Sequence, residues 1–168
     1  STSAKTNYII LFTPRSGSTW LTELISERKI LGKPSEWFNP DLMQSAMNGF
    51  YRRCHNIHEY CEALQERHRS DEGFFGAELT AKHLSLVNEW VDINEIFNRP
   101  VYILQLRANI IAQAISLFLA TETGFFHASN MINSSNTAEY NEKKIHAWVK
   151  RLLHQEKYLH QFLARKET

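Results

Sequence analysis

The sequence predicts an α/β fold, a parallel sheet flanked by helices, and three observations carry that prediction. Tyr8-Ile9-Ile10-Leu11-Phe12 is a short unbroken apolar run of the kind found in strands buried on both faces. It is followed by a small turn and then by Leu21, Leu24 and Ile25 at helical spacing. Two further short runs, Gly73–Leu79 and Pro100–Leu106, each lead in the same way into a helical pattern. A chain of 168 residues is long enough for one domain with a real core, so a single domain over 1–168 is expected.

The turn after the first run, Thr13-Pro14-Arg15-Ser16-Gly17-Ser18-Thr19-Trp20, is the centre of the functional reading. A strand–turn–helix corner leaves backbone N–H groups free at the positive end of the helix dipole. Ser16, Ser18 and Thr19 add hydroxyl donors, and Arg15 adds a permanent cation. Phosphate or sulfate suits such a corner. The plainer alternative is an ordinary strand–helix connection in which Gly17 only tightens the turn. The corner is not a Walker A loop, which needs Lys immediately before the hydroxyl residue. Here Ser18 precedes Thr19, and Arg15 comes before the glycine. No later strand ends in an aspartate suited to magnesium, so metal-dependent nucleotide hydrolysis is disfavoured.

Composition removes several function classes. Lys and Arg total 19 against 18 Asp and Glu, a formal charge of +1, so a nonspecific nucleic-acid binder is not expected. No run of about 18 apolar residues exists, so no transmembrane span is expected. The first residues, Ser1 to Thr6, lack a signal-peptide core, and a cytoplasmic location is the expectation. Two cysteines do not make a disulfide framework. Asn130 to Asn136 is the one conspicuous polar run.

Taken in order, the first helix should run from Ser18 to about Lys29, with Leu21, Leu24 and Ile25 facing the sheet and Gly32 and Pro34 ending it. The loop Lys33 to Pro40 pairs a carboxylate, Glu36, with Trp37 and Phe38. That composition lines pockets for sugars, or equally places two aromatics in the core beside a solvated acid. Two polar helices follow, Asp41 to about Arg53 and His58 to about His68. Cys54, His58 and Cys61 would share a helical face, but no fourth ligand is apparent and no metal is expected. The second strand enters a turn at Thr80-Ala81-Lys82-His83. A helix then reaches about Phe97 with Leu84, Val87, Trp90 and Val91 inward.

The third strand delivers Arg107 at its carboxyl end, where open α/β sheets bind ligands. The apolar helix Asn109 to about Thr123 carries Ser116, which can converge with Arg107 on one anion; alternatively Arg107 pairs with an acid and Ser116 is merely a core serine. Gly124-Phe125-Phe126-His127 ends that helix and adds aromatics suited to a saccharide. A long amphipathic helix from Glu139 to about Ala164 has Ile145, Trp148, Val149, Leu152, Leu153, Leu159 and Leu163 as its buried stripe, explained by the sheet or by a partner in a homodimer.

These stretches together resemble a family. Thr13–Trp20 resembles the 5′-phosphosulfate-binding loop of sulfotransferases. Gly32-x-Pro34-x-Glu36-Trp37-Phe38, Phe75-Gly76-Ala77 and Gln113-Ala114-Ile115-Ser116-Leu117 narrow the resemblance to bacterial carbohydrate sulfotransferases typified by trehalose 2-sulfotransferase. The resemblance runs in order from about Tyr8 to Phe162. It implies a P-loop-NTPase-like fold without magnesium, 3′-phosphoadenosine-5′-phosphosulfate (PAPS) as sulfate donor, PAP as product, and a sugar or glycolipid hydroxyl as acceptor. By the same resemblance Arg15, Ser16, Gly17, Ser18 and Thr19 hold the 5′-phosphosulfate, and Arg107 and Ser116 the 3′-phosphate. Glu36 is the base, with Trp37, Phe38 and His83 toward the acceptor.

Three departures accompany it. Arg107 and Ser116 stand nine apart where the family has eight. Glu78 follows Phe-Gly-Ala where Lys is frequent, leaving Lys82 or His83 as substitutes and Glu78 and His83 as reserve bases. The family continues past Phe162 into a further strand and tail, which are expected to be lacking here. The rival readings are a non-catalytic PAP-binding domain and, less well supported without the Walker lysine, a P-loop nucleotide kinase.

Overall fold

The computed structural model describes residues 5–124, 126 and 138–166. The run Asn130–Asn136, Phe125 and His127 lie outside the described residues. The strands are β1 (Thr6–Phe12), β2 (Phe74–Thr80) and β3 (Val101–Gln105), and the helices are α1 (Ser18–Arg28), α2 (Pro40–Asn48), α3 (Ile57–His68), α4 (Ala81–Trp90), α5 (Ile93–Ile96), α6 (Ile110–Thr123) and α7 (Glu142–Ala164).

All strand pairings are parallel, in the order β2-β1-β3, with Tyr8 opposite Gly76 on one side and Val101 on the other. The fold is therefore α/β with a parallel sheet flanked by helices. β1 lies between the other two strands and is buried from Asn7 to Phe12, which is why its sequence is continuously apolar. β2 is almost as buried, because the loop before α2 covers it: the Glu78 N–H donates to the Ser35 carbonyl at 2.8 Å. β3 is more open, with Val101 56% and Ile103 39% exposed.

The described residues fall into two compact units. The first contains the sheet and α1 to α5; the second joins the loop Thr13–Gly17 to α6 and α7. In the first unit, Phe75 stacks on Phe97, and Phe38 meets both Phe97 and Tyr60 edge to face. Asn7 Nδ2 donates to the Phe97 carbonyl within this aromatic core. In the second unit, Ala114 and Leu117 of α6 pack on Leu152 of α7, with Ile110, Ile145, Trp148 and Val149 around them. The part of the α7 stripe from Ile145 to Leu152 is thus explained by α6.

Several sequence expectations are corrected. The buried positions of α1 are Ser18 and Thr22, while Leu24 is exposed. These small hydroxyl residues are one turn apart, and Thr22 Oγ1 donates back to the Ser18 and Thr19 carbonyls, so they form the inward face. α2 stops at Asn48, because the N–H groups of Gly49 and Tyr51 both turn back to the Ala46 carbonyl. Cys54 precedes α3, whose N-cap is Asn56, so Cys54, His58 and Cys61 do not share a helical face. α4 ends at Trp90, which is 64% exposed rather than inward; Asp92 caps a new turn, and Ile93 and Phe97 take the buried positions. On α7, Leu153 is exposed and Phe162 is buried.

Candidate active site

In the second unit the loop Thr13–Gly17 is tied to α6. Ser16 N–H donates to the Thr13 carbonyl at 3.2 Å, closing a turn, and both Arg15 (φ 66°) and Gly17 (φ 93°) are left-handed. Gln113 is fully buried, and its Nε2 donates to Thr13 Oγ1 at 2.9 Å and to the Pro14 carbonyl at 2.7 Å. Arg15 Nε donates to Ser116 Oγ at 3.0 Å, and Arg15 Nη1 donates to the Phe126 carbonyl. Arg107 Nη1 reaches the Arg15 carbonyl at 3.3 Å. Gln113 and Ser116 are three apart on α6 and so share a face. Among the described residues, no carboxylate lies within ion-pair distance of Arg15 or Arg107. Two guanidinium charges are therefore met only by hydroxyl and carbonyl oxygens, an arrangement suited to an added anion.

In the first unit Glu36 is held by its own loop. Asn39, the N-cap of α2, donates from Nδ2 to Glu36 Oε2 at 3.1 Å and from its backbone N–H to the Glu36 carbonyl at 2.9 Å. Trp37 Nε1 donates to the Gly76 carbonyl, and Tyr60 donates its hydroxyl to the Trp37 carbonyl at 2.7 Å. The loop is thereby pinned to β2 and to α3. Gly76 is required there: a Cβ on it would stand 2.2 Å from Cζ of the Tyr8 ring.

His83 Nδ1 lies 3.7 Å from Glu36 Oε2. Burial lowers the His83 pKa, outweighing the opposite pull of Glu36, so the ring is neutral near pH 7. With the ring neutral the contact is not an ion pair, 3.7 Å is too long for a hydrogen bond, and His83 Nδ1 is buried with no hydrogen-bond partner among the described residues. A hydroxyl oxygen placed between them would be within bonding reach of both. A second carboxyl, Glu78, is buried nearby; burial and then the charge of Glu36 push its pKa up to about 7. His68, whose ring lies 4.0 Å from that of Trp37 and tilted to it by 31°, is held down to about 4 by burial, then by Arg67 and Lys33.

The sequence profile of the Stf0 sulphotransferase family matches residues 7–168. The chain belongs to that family. No curated protein matches the chain. Membership supplies sulfate transfer as the reaction class, and sulphotransferases generally draw on PAPS as donor.

In this Stf0 sulphotransferase the residues expected from sequence divide between the two units. Arg15, Ser16, Gly17, Arg107 and Ser116 are in the second, and Arg15, Arg107 and Ser116 are linked there by hydrogen bonds. Ser18, Thr19, Glu36, Trp37, Phe38 and His83 are in the first, where Glu36 and His83 face each other. Trp37 is half-buried with its ring against His68, and Phe38 is 4% exposed within the aromatic core. Two residues, Gln113 and Asn39, escaped the sequence reading of the site. Gln113 was legible only as part of a resemblance, although a Gln three residues before Ser116 on an apolar helix is a clue to a buried polar task. Asn39 was read only as part of the loop, and nothing in sequence marks it as a partner of Glu36. Glu78 was noticed as a departure; its burial beside Glu36 needs the fold.

Proposed function

We propose that the protein transfers the sulfuryl group of PAPS to a hydroxyl of a carbohydrate or glycolipid, in the cytoplasm, with Glu36 as base. The observation that carries this reading is the 3.7 Å spacing of Glu36 Oε2 and His83 Nδ1, with the latter buried and without a hydrogen-bond partner among the described residues. PAPS, when bound, supplies the sulfuryl group and a phosphate leaving group. The charges of Arg15 and Arg107, which no carboxylate among the described residues pairs, support its anionic ends: Arg15 with Ser16, Gly17, Ser18 and Thr19 toward the 5′-phosphosulfate, and Arg107 with Ser116 toward the 3′-phosphate. Gln113 keeps the loop in place for this task. Glu36 Oε2 takes the proton of the acceptor hydroxyl, and His83 Nδ1 holds its oxygen. Asn39 donates to that same Oε2 and so fixes the carboxylate.

Steady-state kinetics of Glu36→Gln with PAPS and a sugar acceptor test the reading, with PAP affinity measured in parallel. Turnover should fall by about 10²- to 10⁴-fold, the ordinary contribution of a general base, with PAP affinity within about twofold of the parent. Equal losses of rate and PAP affinity would make Glu36 structural. Tight PAP binding without transfer to any sugar would favour a non-catalytic PAP-binding protein.

A further inference from the structure

A cavity of about 270 Å³ adjoins the Glu36 loop, lined by Phe38, Met43, Met47, Leu86, Val87 and Trp90, with Gln44 its one polar side chain besides. Its walls are the elements that carry Glu36 and His83. Phe38 lies two residues beyond Glu36 in the same loop. On α4, His83, Leu86, Val87 and Trp90 follow at spacings of three, four and seven, and so form one stripe along the helix. α2 faces them with Met43 and Met47 one turn apart, yet buries none of its residues fully. Its two methionines line this cavity instead of filling the core.

We propose that the cavity takes the aliphatic tail of an amphipathic acceptor whose hydroxyl rests between Glu36 and His83. The proposal rests on the sulfotransfer reading and narrows the acceptor to alcohols with a hydrocarbon chain next to the polar head. A bare sugar would leave hydroxyls unsatisfied against these walls, which is costly. Thioether and aromatic linings adapt readily to a flexible chain. The stripe from His83 to Trp90 rises ~10 Å, which a chain of roughly eight carbons spans. A hydroxyl at Glu36 thus reaches the cavity along a single helix face.

The test is calorimetric binding of methyl, butyl, hexyl and octyl β-glucosides to the whole chain, each below its micelle concentration. Transfer of labelled sulfate from PAPS to the same compounds is then measured. Affinity should rise about two- to fourfold per added methylene up to the octyl compound, and transfer at low acceptor concentration should rise in parallel. Met47→Arg and Leu86→Arg place a charge in the cavity at half-buried positions and should bring the octyl-to-methyl affinity ratio close to one. Affinity that rises with chain length without sulfate transfer supports the cavity and counts against the sulfotransfer reading. Transfer with no dependence on chain length overturns the proposal and leaves sulfotransfer standing. A trend that survives in both variants overturns it as well, as does a dimer split by Met47→Arg with no chain-length trend.

Discussion

Glu78 stands opposite Ile10 in the β1–β2 register, 6% exposed, with one carboxyl oxygen lacking a partner among the described residues. Burial, then the charge of Glu36, raises its pKa from 4.5 to about 7. The unfolded chain releases this proton near 4.5 while the folded chain keeps it to about 7, so stability declines as pH rises through that window and stays lowered above it. The cost is up to roughly 3 kcal/mol. Glu78→Gln should therefore melt higher than the parent at pH 8 and close to it at pH 5; melting curves that stay parallel from pH 5 to 8 would contradict this. Gly76→Val should destabilise by about 1–3 kcal/mol through overpacking against Tyr8, whose hydroxyl is tethered to the Leu31 carbonyl. Denaturant midpoints measure it. Glu36, Arg15 and Ser116 could be picked out in sequence because each sits in a characteristic local run. His83 and Glu78 were named from sequence as reserve bases, but that they lie beside Glu36 could not be read there, because they come from other elements.

Helix starts rest on local caps. Asn39, Asn56, Thr80, Asn109 and Asn141 each accept a backbone N–H with the side chain at the head of a helix. Helix faces are not set locally. Leu24 and Trp90 fit a helical period yet are exposed, since the inward face depends on what the helix packs against. The stripe of α7 was read correctly at Leu152 and Leu159, while its partner α6 is a tertiary fact. At this scale the loop Thr13–Gly17 depends on α6 through Gln113. Gln113→Ala should cost about 1–3 kcal/mol of stability, because buried groups lose their donor. It should also weaken PAP binding about tenfold, read by thermal melts and calorimetry. Unchanged PAP affinity would mean that the loop holds its shape without that tie.

For the molecule as a whole, the α/β class followed from three apolar runs alternating with helices, and the parallel sheet bears it out. Strand order was not legible. β1 is central because residues far apart in sequence, Phe74–Thr80 and Val101–Gln105, pair on its two sides. The nearly neutral total charge, +1, likewise hides the local pairing of Arg15 with Arg107. Whether those two guanidiniums grip a nucleotide anion without metal is measured most directly by titrating the chain with PAP in a calorimeter, in EDTA. The parent should bind at micromolar concentration or tighter, and Arg15→Ala and Arg107→Ala should each lose about 30-fold or more, as expected for charge-assisted bonds. No binding by the parent, or equal binding by all three proteins, would contradict the account.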